Sequence, residues 1–182
     1  MNRRTIDTVP TAAHLAGAVT AQHGMIRTAF HAAQNGSDET KQEATRRLLV
    51  LLALHEAAEQ LTMHTAFAHA GGGEIGIGDD RMAEEQQTVQ LIERLQGFEY
   101  GTYEYDMQFA LMEEAVIHHA AAEELSEVPL FEDLTEPQRL SIGRAFDAVA
   151  RVADDGYPID YDRFSTMMQA ATAWLAHATD EP

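Results

Sequence analysis

The stretch Leu48-Leu-Val-Leu-Leu-Ala-Leu54-His55-Glu-Ala-Ala-Glu59 decides how this chain is read. Its apolar part, Leu48–Leu54, is the longest fully apolar run in the sequence, yet far short of the ~20 residues a membrane-spanning helix needs. On an α-helix Leu48, Leu51 and Leu52 share one stripe, and His55 and Glu59 continue it before Thr62 and Ala66. His55 and Glu59 stand at i and i+4, so both side chains leave the same face one turn apart. A stripe that should face a core therefore passes from leucine into imidazole and carboxylate.

Outward from this stretch the periodicity is helical nearly everywhere, and no period-2 alternation long enough for a sheet occurs. A first helix is expected from about Thr11 to Gln34, stopped by Asn35-Gly36. The second runs from Ser37 or Thr40 to Ala70, with Thr40-Lys-Gln-Glu43 at capping-box spacing, and ends in Gly71-Gly72-Gly73. A loop over Gly71–Asp80 leads to a third helix from about Asp80 to Gln96. Gly97–Gly101 turns the chain into a fourth, from about Thr102 to Val128 before Pro129. A fifth opens on Thr135-Glu-Pro137-Gln138, a second capping box with proline in the first turn, and ends near Asp154. A sixth covers about Asp160 to His177. The expected fold is all-α: an up-down-up-down four-helix bundle over residues 11–130, with two further C-terminal helices over 135–178 as an appended cap, the whole chain 1–182 being one domain. Gly71-Gly-Gly73-Glu-Ile-Gly76 matches a dinucleotide-site glycine pattern, but a helix precedes it where a strand is required, so it reads as a loop.

Composition narrows the function. The 182 residues include 30 Asp+Glu against 12 Lys+Arg, a formal charge of −18, which argues against nucleic acid and anionic membrane as partners. At 45% hydrophobic content the chain is too apolar for a disordered acidic tail. With no cysteine there is no disulfide scaffold, thiolate metal site, iron–sulfur cluster or cysteine nucleophile. Met1-Asn2-Arg3-Arg4-Thr5 has no apolar segment behind it, and a cytoplasmic location is expected. What remains is an acidic globule rich in histidine and glutamate.

Each of the four main helices sends polar residues toward the expected core. His23 falls between Val19 and Ile26 on the stripe Leu15, Val19, Ile26, Phe30; Glu85 shares a stripe with Met82, Val89 and Ile92; and Phe109, Met112 and Val116 lead to His119 and Glu123, again at i and i+4. Singly these have plain explanations: a hydrogen-bonded core histidine, an acid in a first helical turn, a surface i,i+4 pair. Together those explanations weaken, because three carboxylates and three imidazoles buried unpaired would cost several kcal/mol apiece, beyond a domain's whole margin. A multiply charged cation at the centre compensates them. Imidazole and carboxylate without thiolate suit iron, manganese or zinc. Six or more ligands from four helices suit two octahedral ions, with Glu59 and Glu123 available as bridges.

With these residues in view the chain resembles the hemerythrin-like, or HHE cation-binding, family over about Leu15 to Leu134. Val19-Thr-Ala-Gln-His23-Gly-Met-Ile-Arg-Thr-Ala-Phe30 resembles that family's first helix and His55-Glu-Ala-Ala-Glu59 its second-helix HxxxE. His119-Ala-Ala-Ala-Glu123-Glu124-Leu-Ser-Glu-Val-Pro129 is similar to the fourth-helix motif, and Thr135–Phe146 to a helix that often follows the domain. The resemblance implies a non-haem di-iron centre held by His23, His55, Glu59, Glu85, His119 and Glu123, oxo- or hydroxo-bridged, with manganese as the alternative metal. In helix three Ala83-Glu84-Glu85-Gln86-Gln87 departs from the oxygen carriers, which place a histidine pair there, and the second ligand in helix four is Glu123. A set this rich in carboxylate favours the ferric state and suits reaction with O2 or peroxide (oxidase, oxygenase or catalase-like) over reversible carriage. The alternatives are an O2-, NO- or iron-sensing or storage protein without turnover, and a metal-free helical adaptor. O2, peroxide or NO would be the small ligand, and the chain a monomer or homodimer.

Several residues stay open at this level. His118, on the neighbouring stripe, would replace His119 if the helix were rotated, but only His119 makes HxxxE with Glu123. Glu56 and Glu124 read as solvated acids, with bridging or acceptance of an imidazole N–H as their other role. His14, His31, His64, His69 and His177 read as surface or rim, His64 being the best placed of them for a pocket. Tyr100, Tyr103 and Tyr105 cluster at a turn, and Met63, Met107, Met112, Met167 and Met168 read as core fillers.

Overall fold

The computed structural model describes residues 8–35, 37–70, 77–155 and 162–180. Among these the chain is all-helical: α1 (Ala12–Gln34), α2 (Asp38–Ala58), a π-helical segment (Glu59–His64), α3 (Thr65–Ala70), α4 (Ile77–Leu95), α5 (Tyr103–Ser126), a 3-10 segment (Val128–Asp133), α6 (Glu136–Asp155) and α7 (Phe164–Asp180). The glycine-rich stretch 71–76 and His69's side chain lie outside the described residues.

Local chemistry accounts for the ends. Thr11 caps α1, its hydroxyl accepting from the His14 N–H at 3.1 Å, and the Asn35 side-chain amide closes the helix by donating to the His31 carbonyl at 2.9 Å. Thr102 caps α5 in the same way, accepting from the Tyr105 N–H at 3.2 Å. Gly101 just before it has φ +79°, a backbone state that favours glycine. At the start of α6, Gln138 Oε1 accepts from the Thr135 N–H at 2.9 Å, which is the back-bond of the expected capping box. The box expected at Thr40–Glu43 does not form. Ser37 is the cap residue, Thr40 donates to the Ser37 carbonyl at 2.8 Å, and Glu43 is drawn to Arg46 and Arg47 at 3.2 and 2.9 Å. Two cations within a turn outcompete one amide.

The second helix departs from expectation in its interior. It passes into π geometry over Glu59–His64 instead of running as one α-helix to Ala70. Every residue from Leu48 to Glu59 is buried, none more than 5% exposed. A helix buried all round is a central helix rather than an amphipathic wall. α1 packs on it, and so do α6 and α7. The two C-terminal helices, expected as an appended cap, thus cover faces of α2 that four helices would leave to water. α4 packs on α5 and on α7, and one continuous core joins Leu15 of α1 to Leu175 of α7. Of the expected core fillers, Met63, Met112 and Met167 are buried and Met168 partly so, but Met107 is 48% exposed. Tyr105 packs edge-on against Tyr100, while Tyr103 stands in solvent. No helix among the described residues is long and apolar enough to cross a membrane.

A chain ending after Asp133 should therefore expose the α2 faces that α6 and α7 cover and lose its single cooperative unfolding transition in urea. A sharp transition of unchanged slope in the truncated chain would show that these helices are an appendage.

Candidate metal centre

The six expected ligands converge. His23 (1% exposed), His55 (2%), Glu59 (0%), Glu85 (4%), His119 (4%) and Glu123 (0%) are all buried. The stripes that bury Val19 and Ile26 on α1, and Met112 and Val116 on α5, carry His23, His119 and Glu123 inward with them. His119 faces in and His118 faces solvent, so of the two it is His119 that joins the buried group.

The side chains gather in overlapping groups. One ligand atom from each of His23, His55, Glu59 and Glu123 lies within 4.8 Å of the others, and so does one from each of Glu56, Glu85 and His119. Glu123 reaches both groups, with Oε2 3.3 Å from His23 Nε2 and Oε1 3.2 Å from His119 Nε2. Glu59 belongs to the first, 3.1 Å from His55 Nε2 and 4.0 Å from His23 Nε2. Glu56, read from the sequence as a solvated acid, is 4% exposed and sits in the second group. Because α2 is buried all round, its i+1 neighbour of His55 has no solvent to face.

All three imidazoles present Nε2 to the interior and are held from behind through Nδ1. His23 Nδ1 lies 2.8 Å from Glu124 Oε1, His55 Nδ1 3.0 Å from Gln22 Oε1 and His119 Nδ1 3.1 Å from Glu84 Oε2. Anchoring of one ring nitrogen by carboxylate or amide oxygen is how ligating histidines have tautomer and orientation fixed. At His55 the tautomer follows from connectivity. The Gln22 amide donates through Nε2 to the Phe146 carbonyl at 2.8 Å, so its Oε1 must accept from His55 Nδ1–H, and the lone pair is left at Nε2. That bond brings α6 into the site, and the Phe146 ring stands edge-on to His55 at 5.9 Å. Glu124 thus meets an imidazole nitrogen, the role other than a solvated acid that its place beside Glu123 allows, whereas Gln22 and Glu84 carry no sequence signal beyond position.

Electrostatics makes the arrangement costly without a cation. His23 Nε2, His119 Nε2 and both carboxylate oxygens of Glu59 and Glu123 are buried with no hydrogen-bond partner despite their proximity. Burial, reinforced by the charge of Glu123, pushes Glu59 well above the ordinary carboxylate range. Burial likewise lifts Glu56 to about 8 and Glu85 to about 7. Burial and neighbouring His23 bring His55 down to about 3, so it is neutral, as its tautomer requires. Burial opposes charge on His119 and Glu123 too, but their mutual contact outweighs it, lifting His119 to about 10 and holding Glu123 low. Protons thus do the neutralising in the metal-free protein, and the same imidazole and carboxylate atoms are donors that could hold a metal ion.

Comparison of the chain with family models, curated proteins and solved structures finds no match in any of the three. Among the described residues, the buried His and Glu groups that could hold a metal ion are the feature with chemical content.

Two outcomes are expected. Gln22→Leu removes the bond that fixes His55 and should weaken metal binding about 10- to 100-fold with the helical spectrum unchanged; unchanged affinity by competition titration would show that the bond is incidental. In the metal-free chain, Glu56, Glu59, Glu85 and His119 all hold protons more tightly folded than unfolded. The folded state then binds the excess protons, and stability is lost as pH rises through those values. His55 works the other way, but its contribution is complete by about pH 7. Melting temperature should fall by about 5 °C or more between pH 7 and 9 without metal. With metal bound the ligands are already deprotonated, and the fall should vanish.

Proposed function

We propose that this chain is a hemerythrin-like protein in which α1, α2 with its continuation, α4 and α5 form a four-helix bundle around a two-iron centre that binds and reacts with O2 or peroxide. The single observation that carries the reading is the convergence of anchored imidazole Nε2 atoms on buried carboxylates that lack hydrogen bonds. His23, His55, Glu59 and Glu123 would hold one ion, His119, Glu56 and Glu85 the other, with Glu123 shared. Bound there, the iron pair would supply redox equivalents and open coordination positions for a small oxygen species.

The chain's own residues set the character of the site. Four carboxylates against three imidazoles stabilise the higher oxidation state, which supports reaction over reversible carriage. Gln22, Glu84 and Glu124 orient the rings. Glu56, Glu59, Glu85 and His119 give up protons as metal enters, so affinity rises with pH. The apolar shell of Val19, Ile26, Met63, Met112 and Val116, all under 5% exposed, keeps bulk water from the site and limits access to small ligands.

The test is iron loading under anaerobic conditions, followed by stopped-flow mixing with O2 or hydrogen peroxide. Two iron per chain, a fast optical change and its loss in Glu123→Ala are expected. Fewer than one iron per chain would refute the centre. A stable colour reversed by removing O2, with no peroxide consumed, would make the chain a carrier or sensor.

A further inference from the structure

The polar interior continues past the seven residues above, on the side of the π-helical segment. Glu127 caps the C-terminal end of α5, four residues past Glu123, and is 1% exposed. His64 arrives by a different route. Were α2 to continue as an α-helix, the five residues from Glu59 to His64 would turn the side chain about 140° away from the Glu59 face. Hydrogen bonding from i to i+5 widens the turn and swings His64 back toward the interior, and such segments are frequent at functional sites. Its side chain is 9% exposed, with Nδ1 3.1 Å from Glu85 Oε1 and Nε2 3.9 Å from Glu127 Oε2.

One ligand atom from each of His64, Glu123 and Glu127 lies within 4.8 Å of the other two. Glu123, the member this group shares with the two-metal centre, is fully buried and neither of its oxygens has a hydrogen-bond partner. We propose that His64, Glu127 and the shared Glu123 carboxylate bind a third divalent transition-metal cation beside the two-metal centre. The proposal rests on that centre in one respect, the sharing of Glu123. One imidazole and two carboxylates suit Fe2+, Mn2+ or Zn2+. With three protein ligands, one of them shared, the third ion is the weakest held. It also lies nearest to water, since the His64 side chain is more exposed than those of His23, His55 and His119. These features make it the position that exchanges first with metal in solution.

Titration of the metal-depleted full chain with Mn2+, counting free ion by electron paramagnetic resonance, tests this. The wild type should bind three Mn2+, the third at least 10-fold more weakly, and His64→Gln and Glu127→Gln should each lose the third while keeping the tight pair. Retention of the pair also reports that the variants are folded. Two ions in the wild type overturns the third site and leaves the two-metal centre standing, whatever the variants do. Loss of a tight ion in His64→Gln also overturns it, by making His64 a ligand of the centre. A single ion in the wild type that disappears in both variants supports the His64 site and refutes the centre.

Discussion

Glu56, Glu59, Glu85, Glu123 and Glu127 are each 4% exposed or less, and they share one helical interior with His23, His55 and His119. Separately, a carboxylate taken from water into such surroundings costs several kcal/mol unless it is protonated, paired or bound to a cation. Everything else in the site follows from how that cost is met. Without metal, burial raises Glu56, Glu59 and Glu85 until they hold protons, and His119 and Glu123 pair. With metal, the same oxygens and the three Nε2 atoms are already aimed at one another. A metal bound there would couple its own binding to folding through one cluster.

The helices around the cluster serve this constraint. α2 and the π-helical segment that continues it supply His55, Glu56 and Glu59 from a stretch buried on every side, which only works because α6 and α7 close over it. α6 also reaches the site chemically, since the Phe146 carbonyl orients Gln22 and Gln22 orients His55. The C-terminal helices are therefore part of how the imidazole is set, and the π-helical segment is part of how His64 is brought in.

Much of this was legible in the sequence, for identifiable reasons. Regular 3.6-residue stripes on α1 and α5 place His23, His119 and Glu123 correctly, because an amphipathic helix has one buried face and the pattern shows which. The HxxxE spacing of His55 and Glu59 works for a different reason: residues at i and i+4 leave a helix on the same side whether or not its other faces are buried. Where the rule of one buried face fails, the reading fails. A one-sided α2 puts Glu56 in solvent, although the run Leu48–Leu54 is apolar all round. Regular α-helical spacing places His64 on the rim, because an i to i+5 turn leaves no signature in the period, and hydrophobicity alone places Met107 in the core though it is exposed. Gln22 could not be singled out, since a buried amide's role depends on a carbonyl 124 residues away.

The central claim is that a metal holds the buried histidines and glutamates together, and thermal unfolding with and without a strong chelator tests it most directly. A ligand present at about 1,000 times its dissociation constant stabilises a fold by about 4 kcal/mol, which for a chain of this size is on the order of 10 °C. The account predicts a drop of that size in chelator, restored by adding iron or manganese. Identical melting curves for the metal-loaded and chelated protein would contradict it.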